Sequence, residues 1–420
     1  MKNQFFVLFI IALCSCQPKT KPKENVAINQ TKDSLTHKLQ TIHSKGAING
    51  FGVAIVNEHG TLYSNGIGYA DAAAKKEYTE NSIHNIGSVS KTFIGVALLK
   101  AQELKQLHLD DPISKYLPFA VRNPQFPEVP ITIRHLATHT STLLDTDTFD
   151  EQCYILKEDV VVSDSLMAAS EVFNPPSSSI SVIEFLEKIL KENGEWYEEE
   201  GFLKAKPGEF YEYSNVGATL AAAVLERATG ASFNQFATEH ILKPLEMASS
   251  GWSFDDIEFS KHSTLYIGPK AKLPFYSLIT YPDGGLITSS SDLAKYLSEL
   301  IKGYTGEGTL LNPESYRELF REQLQAHHFQ EERDTDNEYD DEYNTGIFMG
   351  FSPKGYIGHT GGDPGIATFM FFKPTTKTGK LIMINTSVRG SEKGVAEFYD
   401  IWYTLDEFEG KLMKVEGNHP

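Results

Sequence analysis

A serine and a lysine three residues apart are the first residues of this chain whose types and spacing suggest chemistry. Ser88 and Lys91 lie within residues 86–93, and apolar residues follow as far as Leu104 with the spacing of a buried helix. Residues three apart share a helix face, so the Lys91 amine is expected beside the Ser88 hydroxyl in the first turn. The pair predicts a nucleophile with a neighbouring base.

The Lys91 amine must lose its proton before it can act as a base. An ordinary lysine has a pKa of about 10.4, and burial or a neighbouring cation is needed to lower that pKa. The Ser88 amide, unpaired at a helix N-terminus, is suited to stabilise an oxyanion, and one such donor contributes about 3–4 kcal/mol in a transition state. Ser-x-x-Lys alone is a weak pattern, since an N-cap serine followed by a solvated lysine has the same spacing.

A second polar segment follows the turn at Pro207-Gly208. Tyr213 and Asn215 come just before an alanine-rich helix that the pattern predicts over residues 217–229. We expect the Tyr213 phenol to accept or relay a proton if a cation lowers its pKa, and the Asn215 amide to hold the lysine and the substrate. A core tyrosine with an N-cap asparagine is the alternative interpretation.

A third polar segment, residues 358–365, comes directly before the last predicted strand pair, in the position of an edge strand. Its glycines allow another backbone to approach closely. The Gly362 amide is a candidate second oxyanion donor, and the His359 imidazole is a candidate to supply a proton or to bind a carboxylate. We expect folding to gather this imidazole with the phenol, the amine and the hydroxyl around one cavity.

The elements that must position these side chains lie at both ends of the chain. Residues 51–57 and 61–68 predict one hairpin buried on both sides, and residues 366–373 and 380–386 predict another, followed by a helix over residues 392–405. The long region between them is mostly helical in pattern. We therefore predict an α+β fold with an antiparallel sheet built from both chain ends and flanked by helices, and with a mostly helical subdomain inserted.

The predicted folded domain spans residues 33–410. Its sheet part takes residues 33–90 and 345–410, and its mostly helical part takes residues 91–344. These bounds follow from where the strand patterns stop and resume along the chain.

Shorter elements are assigned from local patterns. Amphipathic spacing predicts a helix over residues 33–45, and residues 293–301 predict another that Ser291 or Asp292 caps. Residues 142–207 are acidic and interrupted by prolines and serines. They predict a surface excursion over or beside the site.

Other residues with reactive or metal-binding side chains are predicted to have no catalytic role. His139 lies among apolar residues and is predicted to be structural rather than catalytic, and Cys153 is predicted to be inert, with no disulfide partner. Residues 331–344 carry eight acids and one arginine after His327-His328, a composition more typical of a solvated loop than of a metal site. The zinc pattern His-Glu-x-x-His is absent from the sequence, and no metal or cofactor is expected.

The first residues of the chain have the layout of a targeting signal. Lys2 precedes an apolar run over residues 5–13 that is too short to span a bilayer. Residues 1–15 resemble a bacterial lipoprotein signal, which implies lipidation at Cys16, and residues 16–32 then predict a tether. We expect an exported protein of the cell envelope that contacts the membrane only through its lipid, and an uncleaved anchor is the alternative.

The charge of the chain limits its partners. Asp and Glu number 56 against 38 Lys and Arg, which gives a net charge of −18. Such a surface repels nucleic acids and anionic membrane surfaces, so neither is an expected partner. A hydrophobic content of 40% and a charged content of 22% are those of a folded globular protein, whose oligomeric state is left open.

Three motifs together resemble a known superfamily. Ser88-Val-Ser-Lys91, Tyr213-Ser-Asn215 and His359-Thr-Gly361, in that order, resemble the motifs of the serine β-lactamases and penicillin-binding proteins, in their class C-like branch. Flanking residues extend the resemblance at Ile86-Gly87, Thr132-Ile-Arg-His-Leu136, Pro207-Gly208 and Gly284-Gly-Leu286. The resemblance covers residues 33–405 and implies a β-lactamase/transpeptidase-like fold.

The resemblance implies a role for each motif residue. Ser88 attacks a carbonyl group, and Lys91 with Tyr213 moves its proton. Asn215 positions the acyl group, and the amides of Ser88 and Gly362 hold the oxyanion.

Two features of this chain depart from the pattern of the superfamily. The third motif implies substrate binding by Thr360 and Gly361, but His359 stands where the lactamases usually have lysine. That change is seen in family carboxypeptidases and esterases, so efficient antibiotic hydrolysis is not implied. Residues 142–207 are also longer than the family leads us to expect and should reshape access for the substrate.

The expected function is a serine hydrolase that works through a Ser88 acyl-enzyme on small peptide, amide or ester substrates, such as a D,D-peptidase, a D-aminopeptidase or an esterase. A β-lactam-hydrolysing enzyme is one alternative. A catalytically silent penicillin- or peptide-binding sensor is another, and it would bind ligand without releasing product. A zinc hydrolase is the weakest reading, because the zinc pattern is missing.

Overall fold

The computed structural model describes residues 24–163, 166 and 171–416. The predicted signal and the predicted lipidation site, Cys16, lie outside these residues, so both stay predictions.

Helix α1 (Glu24–His43) begins inside the segment assigned to the tether, and the predicted helix over residues 33–45 is only its later part. None of residues 26–32 is buried, and Val26, Ala27 and Ile28 are their only apolar residues, so hydrophobic spacing does not mark the first turns of this helix.

The strands and the remaining helices follow in chain order. The strands are β1 (Gly50–Asn57), β2 (Gly60–Asp71), β3 (Lys76–Glu77), β4 (Ile83–Asn85), β5 (Tyr154–Leu156), β6 (Tyr266–Ile267), β7 (Ala271–Lys272), β8 (Tyr276–Leu278), β9 (Ile287–Ser289), β10 (Asn344–Thr345), β11 (Gly350–Phe351), β12 (Ile357–Asp363), β13 (Ile366–Lys373), β14 (Thr378–Ile384) and β15 (Thr386–Ser387). The helices are α2 (Ser90–Glu103), α3 (Ile133–Ala137), α4 (Asp147–Cys153), α5 (Val182–Leu190), α6 (Asn215–Thr229), α7 (Phe233–Ala237), α8 (Tyr281–Gly284), α9 (Ser290–Thr305), α10 (Pro313–Leu319) and α11 (Glu392–Glu416).

Both ends of the chain contribute to one antiparallel sheet. Its eight strands lie in the order β10-β11-β12-β13-β14-β1-β2-β3. The two chain ends meet where β1 pairs with β14, with Phe51 opposite Ile384 and Asn57 opposite Thr378. The predicted fold class is therefore confirmed, whereas the division of the domain at residues 90 and 345 stays a prediction.

β1 is buried along its whole length because apolar layers cover both faces of the sheet. Leu39 of α1 and Trp402 and Leu405 of α11 pack on one face, and Phe93 of α2 belongs to the core on the other. β2 departs from the prediction, since many of its residues are only partly buried. The reason is its place next to β3, the last strand at that side of the sheet.

Residues 142–207 are not a surface excursion throughout, as the sequence predicted. They contain α4, β5 and α5, and Phe149, Phe185 and Leu186 belong to the main core. Acidic residues such as Glu184 lie exposed on the outer side of α5, while its apolar side packs inward. The amino-acid composition of the segment averages the exposed and the buried side of the helix, so it does not reveal that one side is buried.

The start of α9 also differs from the prediction. Ser289 caps the helix, and its hydroxyl accepts a hydrogen bond from the Asp292 amide at 3.2 Å. The Asp292 carboxylate instead accepts from the Ser249 amide at 2.7 Å and pairs with Lys295. Serine and aspartate are both favourable N-cap residues, so the local sequence does not determine which of these neighbours caps the helix. Tertiary contacts of Asp292 determine it here.

Candidate active site

The turn that carries Ser88 is short and sterically tight. Residues 87–89, which we call the nucleophile turn, form one turn of 3₁₀ helix ahead of α2. Gly87 has a φ of +55°, and a Cβ there would lie 2.7 Å from the backbone nitrogen of Gly362 on β12. Only glycine tolerates this conformation together with this approach. The nucleophile turn is therefore packed directly against β12.

Lys91 lies beside Ser88, as predicted. Its Nζ donates to Ser88 Oγ at 2.9 Å and to the backbone oxygen of Asp283 at 2.9 Å. The side chain is fully buried, and burial lowers the pKa of Lys91, while the carboxylates of Asp283 and Asp145 oppose that change. A desolvated amine in contact with a hydroxyl is the arrangement that a lysine base requires.

Tyr213 completes a cluster with this pair. Its side chain hydrogen-bonds Ser88, and Lys91 Nζ lies 5.2 Å from the centroid of its ring. The ring of His139 stacks on the phenol with 4.5 Å between centroids, and His139 Nδ1 accepts from the Ser214 amide at 3.1 Å. His139 is therefore buried, as expected of a structural histidine, and it holds Tyr213 in place.

Burial determines the protonation state of Tyr213. Burial raises its pKa well above the ordinary value, although the hydrogen bond with Ser88 acts in the other direction. The condition set for a proton acceptor, a pKa lowered by a cation, is not met because the cost of burying a phenolate dominates. Tyr213 is therefore a neutral phenol near neutral pH, suited to relaying a proton rather than to acting as a standing base.

Asn215 is the first residue of α6, and Ser214 rather than Asn215 caps that helix. The amides of Asn215 and Val216 each donate to Asp145 at 2.8 Å, and the Asn215 side chain bonds the same carboxylate. The sequence predicted that the Asn215 amide holds Lys91. Within the described part of the chain, no hydrogen bond joins these two residues. Asp145 thus fixes the helix end that presents Asn215 at the cavity wall.

β12 brings the third motif to the serine. A Cβ on Gly361 would overlap the backbone oxygen of Ile86 and lie 3.2 Å from the Ser88 nitrogen, whereas a Cβ on Gly362 would meet nothing within 4 Å. Gly361 therefore faces the nucleophile turn, and Gly362 faces open space. The backbone nitrogens of Ser88 and Gly362 both lie at this contact, and their role as oxyanion donors stays a prediction.

The edge position predicted for β12 holds only in part. Two further strands lie beyond it in the sheet, but β11 pairs with β12 only at Ile357 and Gly358. From His359 to Asp363, none of the described strands pairs with β12 on that side. This stretch is the open edge along which the site lies.

The His359 ring has a defined hydrogen-bonding pattern. Its Nδ1 lies 2.6 Å from the backbone oxygen of Thr360 and 3.0 Å from Asp341 Oδ2. Both partners are acceptors, so Nδ1 carries a proton and the lone pair of the neutral ring is at Nε2. Burial lowers the pKa of His359, and the Asp341 carboxylate opposes that change. The ring centroid lies 6.2 Å from that of Tyr213.

Five acids at the site were missed by the sequence-based reasoning: Asp145, Asp150, Asp283, Asp341 and Asp363. Asp341 is one of eight acids in residues 331–344, so nothing local sets it apart. Asp283 directly precedes Gly284-Gly285, part of a flanking segment that resembles the superfamily, and this position is the one sequence feature that could have drawn attention to it. Their roles depend on contacts between segments that are distant along the chain.

Carboxyl groups line the cavity at the serine. A cavity of about 70 Å³ is lined by Ser88 together with Asp150, Asp283 and Asp363, and it shares Tyr154 and Asp363 with a larger cavity of about 580 Å³. Burial raises the pKa of Asp150 and of Asp283 to about 6 and that of Asp363 to about 7. The charge of this cavity therefore changes between mildly acidic and mildly alkaline pH.

Within the described residues, no three His, Cys, Asp or Glu side chains are grouped so that they could hold a metal ion. The same residues contain no helix with the length and apolar character that a bilayer crossing needs. Cys153 is buried and free, and its Sγ donates to the backbone oxygen of Asp150 at 3.4 Å.

Proteins of similar sequence and structure were found. Protein flp of Staphylococcus aureus (strain MW2) is 26% identical over 278 residues, which cover 65% of this chain and 49% of that protein. The chain thus spans about half the length of the curated relatives it matches.

Solved structures share the fold. An octameric penicillin-binding protein homologue from Pyrococcus abyssi has a TM-score of 0.66 and 22% identity, and the match covers 91% of this chain and 77% of that one. D-amino acid amidase from Ochrobactrum anthropi SV3 has a TM-score of 0.62 and 18% identity, with coverage of 89% and 99%. The Beta-lactamase family itself matches residues 35–400. With the three motifs gathered around one hydroxyl, this match shows that the chain belongs to the Beta-lactamase family.

Proposed function

We propose that the chain is a serine hydrolase that forms an acyl-enzyme on Ser88 with small peptide, amide or ester substrates. The observation that carries this proposal is the 2.9 Å contact between the buried Lys91 Nζ and Ser88 Oγ, with Tyr213 bonded to the same hydroxyl. Membership of the family supports the reaction class, and an amidase among the structural neighbours is consistent with the substrate class.

The proposed acylation begins with the fraction of the protein in which Lys91 is neutral. Lys91 takes the Ser88 proton as Oγ attacks the substrate carbonyl, and the negative charge that develops on the carbonyl oxygen faces the amides of Ser88 and Gly362. Tyr213 gives its proton to the leaving nitrogen or oxygen, and the Lys91 ammonium returns a proton to Tyr213. Lys91 is then neutral again beside the Ser88 ester.

Deacylation follows the same proton path in reverse. The neutral Lys91 takes a proton from a water molecule, directly or through the Tyr213 hydroxyl, as that water attacks the ester carbonyl. The same two amides hold the second oxyanion, and Ser88 Oγ leaves with the returned proton. The acid product then departs and restores the free hydroxyl.

The acyl-enzyme is tested by mapping a covalent adduct. The protein is incubated with a fluorophosphonate, digested and analysed by mass spectrometry, and we expect the mass of the adduct on the peptide that contains Ser88. Ser90 is a matched internal control, because it is a fully buried serine in the same peptide whose hydroxyl accepts from the Leu286 amide. An adduct on any other residue, or none after prolonged incubation, would refute the proposal.

The charge of the cavity predicts which substrates are preferred. Asp283 and Asp363 near the serine favour a substrate with a free ammonium group over one that carries a carboxylate. We expect the p-nitroanilide of D- or L-alanine to have a higher kcat/KM than its N-succinyl derivative, by about tenfold for one favourable charge contact. A D-aminopeptidase or amidase activity is therefore favoured over a carboxypeptidase activity.

The same preference should depend on pH. The two carboxyls have raised pKa values of about 6 and 7, so they are neutral below those values and negative above them. We expect the ratio of the two kcat/KM values to increase from pH 5 to pH 7, a range in which the substrate keeps its ammonium, since an α-amino group has a pKa of about 7.7–8.0. A constant ratio, or a preference for the succinyl substrate, would contradict this assignment.

We also propose that the chain is exported and lipidated at Cys16, which would place the site in the cell envelope. The support comes from the sequence alone, through the short apolar run that precedes this cysteine. Since α1 begins at Glu24, residues 17–23 would separate the lipid from the first helix.

A further inference from the structure

Asp341 links the acidic loop over residues 331–344 to the site. Its Oδ2 lies 3.0 Å from His359 Nδ1 and accepts from the Thr360 amide at 2.6 Å, and both carboxylate oxygens lie 3.1 Å from Thr360 Oγ1. The side chain is 9% exposed, whereas most acids of the loop are exposed. One carboxylate of the loop thus turns inward and contacts two residues of β12.

The backbone of Asp341 is held as closely as its side chain. A Cβ on Gly350 would lie 2.5 Å from the backbone oxygen of Asp341 and 2.6 Å from its Cβ. Glycine at position 350 in β11 therefore lets the loop lie directly on the sheet. This contact is independent of the hydrogen bonds on the other side of Asp341.

A buried ion pair anchors the same loop on the other face of the sheet. The Tyr339 hydroxyl accepts from Lys380 Nζ at 2.9 Å and donates to Asp406 Oδ2 at 2.9 Å, and Lys380 pairs with Asp406 directly. Lys380 Nζ also lies 4.0 Å from the ring centroid of Trp402 on α11. The Tyr339 side chain also hydrogen-bonds Tyr356, so four side chains take part in this anchor.

We propose that Asp341 is a positioning residue for His359. Together with the Thr360 backbone oxygen, it fixes the imidazole as the tautomer with a proton on Nδ1, which leaves Nε2 to accept a hydrogen bond from substrate or water. Tyr339 holds Asp341 at that place through Lys380 and Asp406. The role in turnover rests on the proposed function. The effect on the imidazole does not, because the contacts exist in the free protein.

The surroundings of the ring determine the sign of the expected effect. The groups that face His359 are Asp341 from the loop, Lys91 from α2, Tyr213 from the segment before α6, and His139 from the segment after α3. Asp341 is the anion among them, and Lys91 acts in the opposite direction. Removing the charge of Asp341 should therefore lower the pKa of His359.

The experiment compares Asp341→Asn with Asp336→Asn in the full chain. Asp336 is exposed in the same loop, so the second variant makes the same chemical change away from the site. Histidine labelled with ¹³C at Cε1 is titrated by NMR, and His359→Gln assigns the signal. We expect Asp341→Asn to lower the His359 pKa by about 0.5 or more and kcat/KM by about tenfold or more, with no change in Asp336→Asn. An unchanged pKa in Asp341→Asn would overturn the proposal.

Tyr339→Phe tests the anchor while the Asp341 carboxylate stays in place. It keeps the buried ring and removes the hydroxyl that joins Lys380 to Asp406, so we expect the His359 pKa to move part of the way towards that of Asp341→Asn. A pKa equal to that of the unmodified protein would refute the anchor. If no adduct formed on Ser88 but Asp341→Asn still lowered the His359 pKa, the proposed function would be refuted. The positioning role of Asp341 for the imidazole would still be supported.

Discussion

Replacing Lys91 with methionine is expected to lower kcat/KM by about 10³-fold or more, whichever ester or amide is used, because a proton-transfer residue contributes about 10²–10⁴-fold. Methionine is similar in length and apolar, so it fills the space of the lysine stem but cannot accept the Ser88 proton. The measurement is steady-state release of p-nitrophenol from an acyl ester. A variant that keeps more than a tenth of the activity would remove Lys91 from the mechanism.

Thermal unfolding separates this loss from misfolding. Because the buried amine pays a desolvation cost, Lys91→Met should leave the Tm unchanged or raise it. Lys100→Met is the matched control, since Lys100 lies on the same helix but binds the backbone oxygen of Leu310 at 2.9 Å, away from the serine. We expect near-native activity from that variant.

Replacing Gly361 with alanine is expected to lower kcat by about 10²–10³-fold, the effect of losing one oxyanion donor. The added Cβ overlaps the backbone oxygen of Ile86, so β12 and the nucleophile turn must move apart. The amides of Ser88 and Gly362 then no longer face a common point. Overpacking of this kind also costs about 1–3 kcal/mol of unfolding free energy, measured by urea titration.

The neighbouring glycine provides a matched control. A Cβ on Gly362 meets nothing within 4 Å, and an alanine there keeps its backbone amide. Gly362→Ala should therefore unfold at the same urea concentration as the unmodified protein and lose less kcat than Gly361→Ala, although its Cβ enters the cavity at Ser88. Equal activities for the two variants would show that the contact between Gly361 and Ile86 does not set the geometry of the site.

Local patterns were sufficient for much of the fold. The strand β1 was predictable because burial on both faces leaves an almost unbroken apolar sequence. The strand Ile366–Lys373 was predictable because most of its residues are apolar. The pairing of Lys91 with Ser88 was predictable too, because helix geometry alone places them together. In each case the information lies within a few residues.

The rest of the site depends on distant contacts that no local pattern encodes. Asp145 and Asp341 lie in segments whose composition is typical of solvated loops, yet each bonds a motif residue from another part of the chain. The sequence left the pKa of Tyr213 conditional on a neighbouring cation, because the burial that raises this pKa is not given by the sequence. His139 was correctly assigned to the interior, but its stacking partner was not predictable.

The pairing of Phe51 in β1 with Ile384 in β14 has a consequence for the timing of folding. During synthesis the first strand leaves the ribosome long before its neighbour exists, and such distant pairing slows folding. β12, which carries Gly362, joins the sheet through strands that are also made late. A chain whose synthesis has not reached β12 contains Ser88 and Lys91 but lacks the Gly362 amide that would bind the carbonyl oxygen. The proposed chemistry therefore requires β12 to have been made and to have joined the sheet.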